Sequence, residues 1–117
     1  MVSAAVLGRW GEDLAARHLE EDGFVLLARN WRCELGELDL IGRGADLLVV
    51  CEVKTRRGVR FGSPADAVTA AKARRLRRLA GRWLAQHRPG VAAVRIDVIT
   101  VLLRGDGVQL DHLPGVC

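Results

Sequence analysis

A chain of 117 residues and 12.8 kDa, 50% hydrophobic and 27% charged, can close one core without disulfide or zinc support and is too short for two independent domains. Its 18 Lys and Arg against 14 Asp and Glu leave a net charge of +4 and a pI near 9.6, which turns it toward anionic partners. Three cysteines without a CxxC pair, no basic leader ahead of an apolar stretch, and no apolar run near the roughly 20 residues of a bilayer span argue against a disulfide framework, a signal peptide and a membrane helix, so a reducing cytoplasm is the expected address.

Along the chain, Leu7, Trp10, Leu14, Ala15 and Leu19 recur at helical spacing, which predicts an amphipathic helix from Ser3, its cap, to Asp22, stopped by Gly23. Phe24 to Trp31 is apolar and reads as a strand leading to a bend. Gly36 to Ile41 alternates, which puts Glu37, Asp39 and Ile41 on one face and Leu38 and Leu40 on the other, before an expected turn at Gly42-Arg43-Gly44. Leu47 to Lys54 is nearly continuous in apolar and β-branched residues until its last positions, the pattern of a central strand buried on both faces.

Thr55 to Pro64 reads as a loop feeding a helix from Ala65 to His87, whose buried stripe is Val68, Leu76, Leu79, Ala80, Trp83 and Leu84. Val91 to Leu103 reads as a long strand, turned at Gly105-Asp106-Gly107 into a partner from Val108 to Leu113. The order is α-β-β-β-α-β-β in a single domain over residues 1–117. The helical connection between the third and fourth strands is long enough to make them parallel, so a mixed β-sheet flanked by helices is expected.

Charge is unevenly spread. Between Lys54 and Arg88 stand eleven basic residues and one acid, Asp66, a local balance of +10, while the remainder sums to −6. Arg56, Arg57 and Arg60 in the expected loop and Lys72, Arg74, Arg75 and Arg78 on the helix are candidate contacts to nucleic-acid phosphates, against the plainer reading of a solvated helix face. Glu52 and Lys54 share one face at the end of the apolar strand, and the short connection from the preceding strand can set Asp39 opposite Glu52 or its neighbour. Two carboxylates within about 4–5 Å supply the hard oxygens that Mg2+ or Mn2+ prefers. Such an ion activates water and polarises a phosphodiester, with Lys54 beside the same phosphate. The competing structural reading is a salt bridge from Asp39 or Glu52 to Lys54 or a nearby arginine at a strand end.

Glu12, Gly36-Glu37-Leu38-Asp39-Leu40-Ile41, Cys51-Glu52-Val53-Lys54-Thr55-Arg56, Phe61-Gly62-Ser63-Pro64, Lys72 and Arg95-Ile96-Asp97-Val98 together resemble the YraN-like family of bacterial proteins (UPF0102) over nearly the whole chain. That family is generally placed in the PD-(D/E)xK nuclease superfamily, close to archaeal Holliday junction resolvases. The resemblance implies a restriction-endonuclease-like α/β core. It implies Asp39 as the first metal-binding acid, Glu52 as the second, Lys54 as the superfamily lysine and Glu12 as the extra acid of the first helix. The backbone carbonyl of Val53 would complete the metal shell. Leu38 stands where the literal motif has proline, a departure that removes no ligand.

Lys72, four residues before Leu76, sits beside the apolar stripe; it either reaches the active edge or snorkels past the sheet. Asp97 with Arg95 reads as a structural charge pair. No P-loop or dinucleotide fingerprint is present, His18, His87 and His112 lack zinc spacing, Cys51 reads as core, and Trp31 and Trp83 serve as core at least as well as base-stacking platforms. The expected function is a Mg2+- or Mn2+-dependent endonuclease acting on DNA, branched or otherwise structured DNA included, with RNA a second substrate class and a homodimer the expected assembly. The alternative is a non-catalytic DNA-binding or genome-maintenance adaptor with a nuclease-like fold. A third is a basic face that meets an acidic protein.

Overall fold

The computed structural model describes residues 3–58 and 68–116. In chain order the elements are α1 (Ala4–Glu21), β1 (Val25–Cys33), β2 (Gly36–Gly44), β3 (Leu47–Arg57), α2 (Ala70–His87), β4 (Ala93–Arg104) and β5 (Gly107–Leu113). Ser3 caps α1, its hydroxyl accepting from the Val6 N–H at 3.2 Å, and the chain leaves the helix through Gly23 at φ +95°.

The strands form one sheet in sequence order, β1 to β5. All neighbours are antiparallel except β3 and β4, which run parallel from the Leu47–Ala93 pair to the Arg57–Leu103 pair. A parallel pair needs a long crossover, and α2 supplies it. With α1 on one face of the sheet and α2 on the other, β3 is buried twice. Val49 and Cys51 pack with Ala15, Ala16 and Leu19, while Leu48 and Val50 pack with Leu76, Leu79, Ala80 and Trp83. The near-continuous apolar run of β3 is the direct consequence.

Four sequence expectations shift. Gly42-Arg43-Gly44 belongs to β2, and the chain reverses at Ala45-Asp46, Ala45 taking φ 53°. The glycines are there because Phe24 lies over the strand; a Cβ on Gly44 would stand 2.9 Å from the Phe24 ring. Thr55 to Arg57 is not loop but the end of β3, held beside Val101 to Leu103. The second helix begins at Ala70, capped by Thr69, whose Oγ1 accepts from the Lys72 N–H at 3.1 Å, so Val68 precedes the helix. The expected start at Ala65 lies outside the described residues, as do Arg60 and Phe61-Gly62-Ser63-Pro64.

The fourth shift concerns Leu38 and Leu40, which do not share a face. Leu38 packs with Ile41 in the α2-side core, and Leu40 packs in the α1-side core. On the neighbouring strand Ala28 and Trp31 both pack toward α2, again three residues apart. Between them Asn30 takes φ 53°. The flanking pairs Arg29–Leu40 and Trp31–Leu38 keep their register. Both strands therefore slip by one face at the same rung, that of Asn30 and Asp39, which strict alternation could not reveal.

Candidate functional site

That slip sits where the sheet opens. The β2–β3 ladder runs from Gly44–Leu47 to Leu40–Cys51 and ends. The next rung would set Asp39 opposite Glu52, but β3 continues with β4 alone, Glu52 beside Val98 and Lys54 beside Thr100. Asp39 fills the fork: its Oδ2 accepts the Val53 N–H at 2.8 Å, a side chain replacing the lost ladder bond.

Glu52 follows Val50 on the α2 side of β3 and is 9% exposed. Lys72, in the first turn of α2, sets its Nζ against Glu52 Oε2 as an ion pair. From the other layer α1 brings Glu12, its side chain 20% exposed and 3.8 Å from Arg29, which binds Asp13 more closely at 2.7 Å. The turn of α1 that carries Glu12 lies close against β3 because its neighbour Gly11 has no side chain. A Cβ there would meet Thr55 Oγ1 at 1.9 Å. Gly11 was legible in principle as the small member of the i, i+4 series Leu7, Gly11, Ala15, Leu19. It contributes no hydrophobicity, so an apolar stripe passes over it.

The electrostatics follow from this crowding. Burial pushes the Asp39 carboxyl up to about 7; the Val53 amide pulls the other way, and the Glu52 and Glu12 carboxylates push it further. Asp39 and Glu52 lie within hydrogen-bonding reach of each other, and the Glu52 carboxylate adds to the burial that raises Asp39. Lys54, two residues after Glu52, lies against Lys72. That contact, with burial second, lowers its pKa. Burial would lower Lys72 as well, but Glu52 and Lys54 outweigh it and raise the group. Arg56 acts on Lys54 and Arg75 on Lys72 through charge, so both arginines border the centre.

The structure therefore brings Asp39, Glu52, Lys54, Lys72, Glu12 and the Val53 backbone to one opening. Arg56 and Arg57 are exposed at the end of β3, and Arg74, Arg75 and Arg78 are exposed along α2. Arg74, Arg77 and Arg78 line a shallow recess on the outer surface of that helix. Lys72 is separated from these by its hold on Glu52. Glu37 pairs with Arg32 at 3.6 Å, away from the acid pair. Trp83 is 3% exposed in the core and stacks on His87 at 4.2 Å between ring centroids, and Trp31 packs against the same core. Burial pushes the Cys51 thiol up, in keeping with a core residue.

A second cluster is independent of this opening. Asp97, fully buried, accepts from Arg95 Nε and Nη2 at 2.9 Å each and from the Gly115 N–H at 3.0 Å, and shares a 2.7 Å bond with His112 Nε2. His112 Nδ1 in turn lies 2.9 Å from His18 Nε2 of α1. The Arg95–Asp97 pair matches the structural reading of the sequence. The two histidines, 94 residues apart, carry no local signal of their meeting.

Among the described residues no group of three His, Cys, Asp or Glu side chains is placed to hold a metal ion. Asp39 and Glu52 offer the hard carboxylate oxygens that Mg2+ and Mn2+ take, ions that keep several waters and need few protein ligands. Asp39 is raised chiefly by burial and further by the Glu52 and Glu12 carboxylates, and adjacent carboxylates are the donor type such an ion takes. Among the described residues no helix is long and apolar enough to cross a membrane.

The family model described as Uncharacterised protein family UPF0102 matches residues 11–101. The chain is 54% identical over 110 residues to a UPF0102 protein of Parafrankia sp. (strain EAN1pec), which covers 93% of each chain. It is 54% identical over 112 residues to one of Nocardioides sp. (strain ATCC BAA-499 / JS614), covering 94% of this chain and 90% of that one. A relative from Acidothermus cellulolyticus is 51% identical over 120 residues, covering 93% and 91%.

Proposed function

This chain belongs to the uncharacterised protein family UPF0102, and from that premise we propose that it is a metal-dependent phosphodiester hydrolase of the PD-(D/E)xK type, related to archaeal Holliday junction resolvases and acting on DNA. The observation that carries this reading is the meeting of the Asp39 and Glu52 carboxyls in a half-closed fork, with two lysine ammoniums at its rim. Asp39, Glu52 and the Val53 backbone would hold one Mg2+ or Mn2+, with water and a substrate phosphate oxygen completing the shell. When bound, the ion supplies Lewis acidity, which polarises the phosphorus–oxygen bond and acidifies water.

The chain's own residues do the rest. Asp39 must lose its proton to serve, so its affinity for a cation rises as pH passes about 7. Lys54 meets the scissile phosphate, and its lowered pKa suits it to exchange a proton with the attacking water. Glu12 orients water from the α1 side. Arg56, Arg57, Arg74, Arg75 and Arg78 engage backbone phosphates on either side of the opening, contacts that position the strand without reading its sequence.

The test is cleavage of single-stranded, duplex, flap and four-way junction DNA with Mn2+ or Mg2+, beside Asp39→Ala. Metal-dependent cleavage that falls to background in the variant is expected; clean protein inert on every substrate would count against hydrolysis. The exposed arginines support a second reading, a DNA-binding adaptor without hydrolysis. It predicts binding that weakens steeply with salt and survives Asp39→Ala. RNA in the same assays decides the nucleic-acid class. Light scattering over a range of concentrations decides whether two copies assemble to span a branched substrate.

A further inference from the structure

Lys72 holds a position that hydrolysis by Asp39, Glu52 and Lys54 does not require. It extends from the first turn of α2, where Thr69 fixes its backbone N–H at 3.1 Å, and places its ammonium on Glu52 Oε2. That oxygen is buried and accepts no regular hydrogen bond, so the ion pair with this ammonium is what faces it among the described residues. Asp39, a neighbour within hydrogen-bonding reach, is governed instead by burial, one amide and two carboxylates. One acid of the pair thus has a cation and the other lacks one.

Resting on the metal-dependent reading above, we propose that Lys72 is an internal counterion that occupies the cation's place at Glu52 and must leave when a divalent ion binds there. A buried carboxylate left without a positive partner is costly, so the resident ammonium stabilises the cation-free protein. The same contact makes cation binding an exchange at Glu52, since the ion gains that carboxylate only as Lys72 gives it up. Two consequences are separable. Removing the ammonium tightens cation binding while weakening the cation-free fold. Displacing it in the intact protein releases a positive group beside Lys54, where a phosphate anion enters, so a divalent cation and an anion favour each other's binding reciprocally.

Calorimetric titration with Mn2+ tests this in three proteins: the natural chain, Lys72→Met and Asp39→Asn. We expect Lys72→Met to bind Mn2+ about tenfold more tightly, a difference of about 1.4 kcal/mol. Its lower melting temperature without metal should recover toward that of the natural chain on adding Mn2+. Equal or weaker affinity in folded Lys72→Met overturns the proposal. If the natural chain binds Mn2+, Asp39→Asn abolishes binding and Lys72→Met leaves it unchanged, only the role of Lys72 falls. If no heat appears with any of the three, the metal-dependent reading falls with it.

A measurement without substitution guards against misfolding. In the natural chain labelled at lysine nitrogens, saturating Mg2+ should move the Lys72 Nζ resonance as the ion pair opens, and a resonance that stays in place overturns the exchange.

Discussion

Asp39, half-buried, and Asp97, fully buried, are aspartates on the same sheet, yet the protein treats their charges in opposite ways. Around Asp97 burial works to raise the carboxyl, but Arg95, Gly115 and His112 together outweigh it and hold the group below its usual range. Around Asp39 one amide faces burial and two like charges, and the carboxyl rises to about 7. A satisfied buried charge ties chain segments together. At Asp97 it joins β4 to β5 and to the tail at Gly115. A carboxyl left to burial and like charges, as at Asp39, lies instead at a fork between strands where the sheet opens.

The sharpest way to break this contrast is Asp97→Asn. The substitution keeps the shape but turns an amide NH2 toward a guanidinium, an imidazole N–H or a backbone N–H, donors facing donors in a site without water access. Unfolding free energy measured with urea should fall by about 3–5 kcal/mol, the range for breaking a buried charge pair. If it falls by less than about 1 kcal/mol, Asp97 is not the anchor its four hydrogen bonds imply.

How much of this was open to a sequence reader differs between the two acids. Arg95 and Asp97 stand two apart on one strand, so their pairing is local and readable. The other two partners, His112 and the Gly115 N–H, meet Asp97 through the register of the hairpin return and the tail beyond it, which only the folded sheet specifies. For Asp39 and Glu52 the residue types and the short antiparallel connection pointed to their nearness, although the ladder ends one rung before they would pair, and the parallel β3–β4 pair followed from the length of the crossover. What stayed hidden is the face slip at Asn30 and Asp39. A left-handed Asn30 in one strand shifts its neighbour too, and neither shift leaves a mark in hydrophobic periodicity. Lys72 showed only as a charge beside an apolar stripe. Its hold on Glu52 depends on where the crossover sets the first turn of α2.

A smaller effect, opposite in sign, should come from Asp39→Asn. The folded carboxyl keeps its proton up to about pH 7, whereas in the unfolded chain it releases it near 3.8. Between those values the folded state binds more protons, so stability conferred at low pH is lost as pH rises through that window. The amide variant still accepts the Val53 N–H through its carbonyl and carries no titrating group. Water reaches part of Asp39, so the variant should exceed the natural chain on the order of 2–4 kcal/mol at pH 8 and match it near pH 4. Urea midpoints across that range check it. Asp97 runs the other way, its stabilisation present above its unfolded pKa and lost on acidification. An Asp39→Asn curve parallel to the natural one would mean that the fork is already neutralised.

The smallest expected effect separates the two like-charge neighbours of Asp39. Glu12 approaches from α1 and ranks behind Glu52 among the groups that raise Asp39. It is partly exposed and only loosely paired with Arg29 at 3.8 Å. Glu12→Gln should therefore change unfolding free energy by no more than about 0.5 kcal/mol, as for other weakly engaged charges near solvent. The Asp39 carboxyl resonance, followed by carbon NMR against pH, should move its midpoint downward, and by less than Glu52→Gln moves it. Asp97 should titrate as before in both variants. The ordering is the informative part: if Glu12→Gln shifted Asp39 as far as Glu52→Gln does, the fork would be a site of three equal acids and not a pair with a distant third. The α1 contribution would then rest on the close approach that Gly11 permits, and enlarging Gly11 would mimic the loss of Glu12.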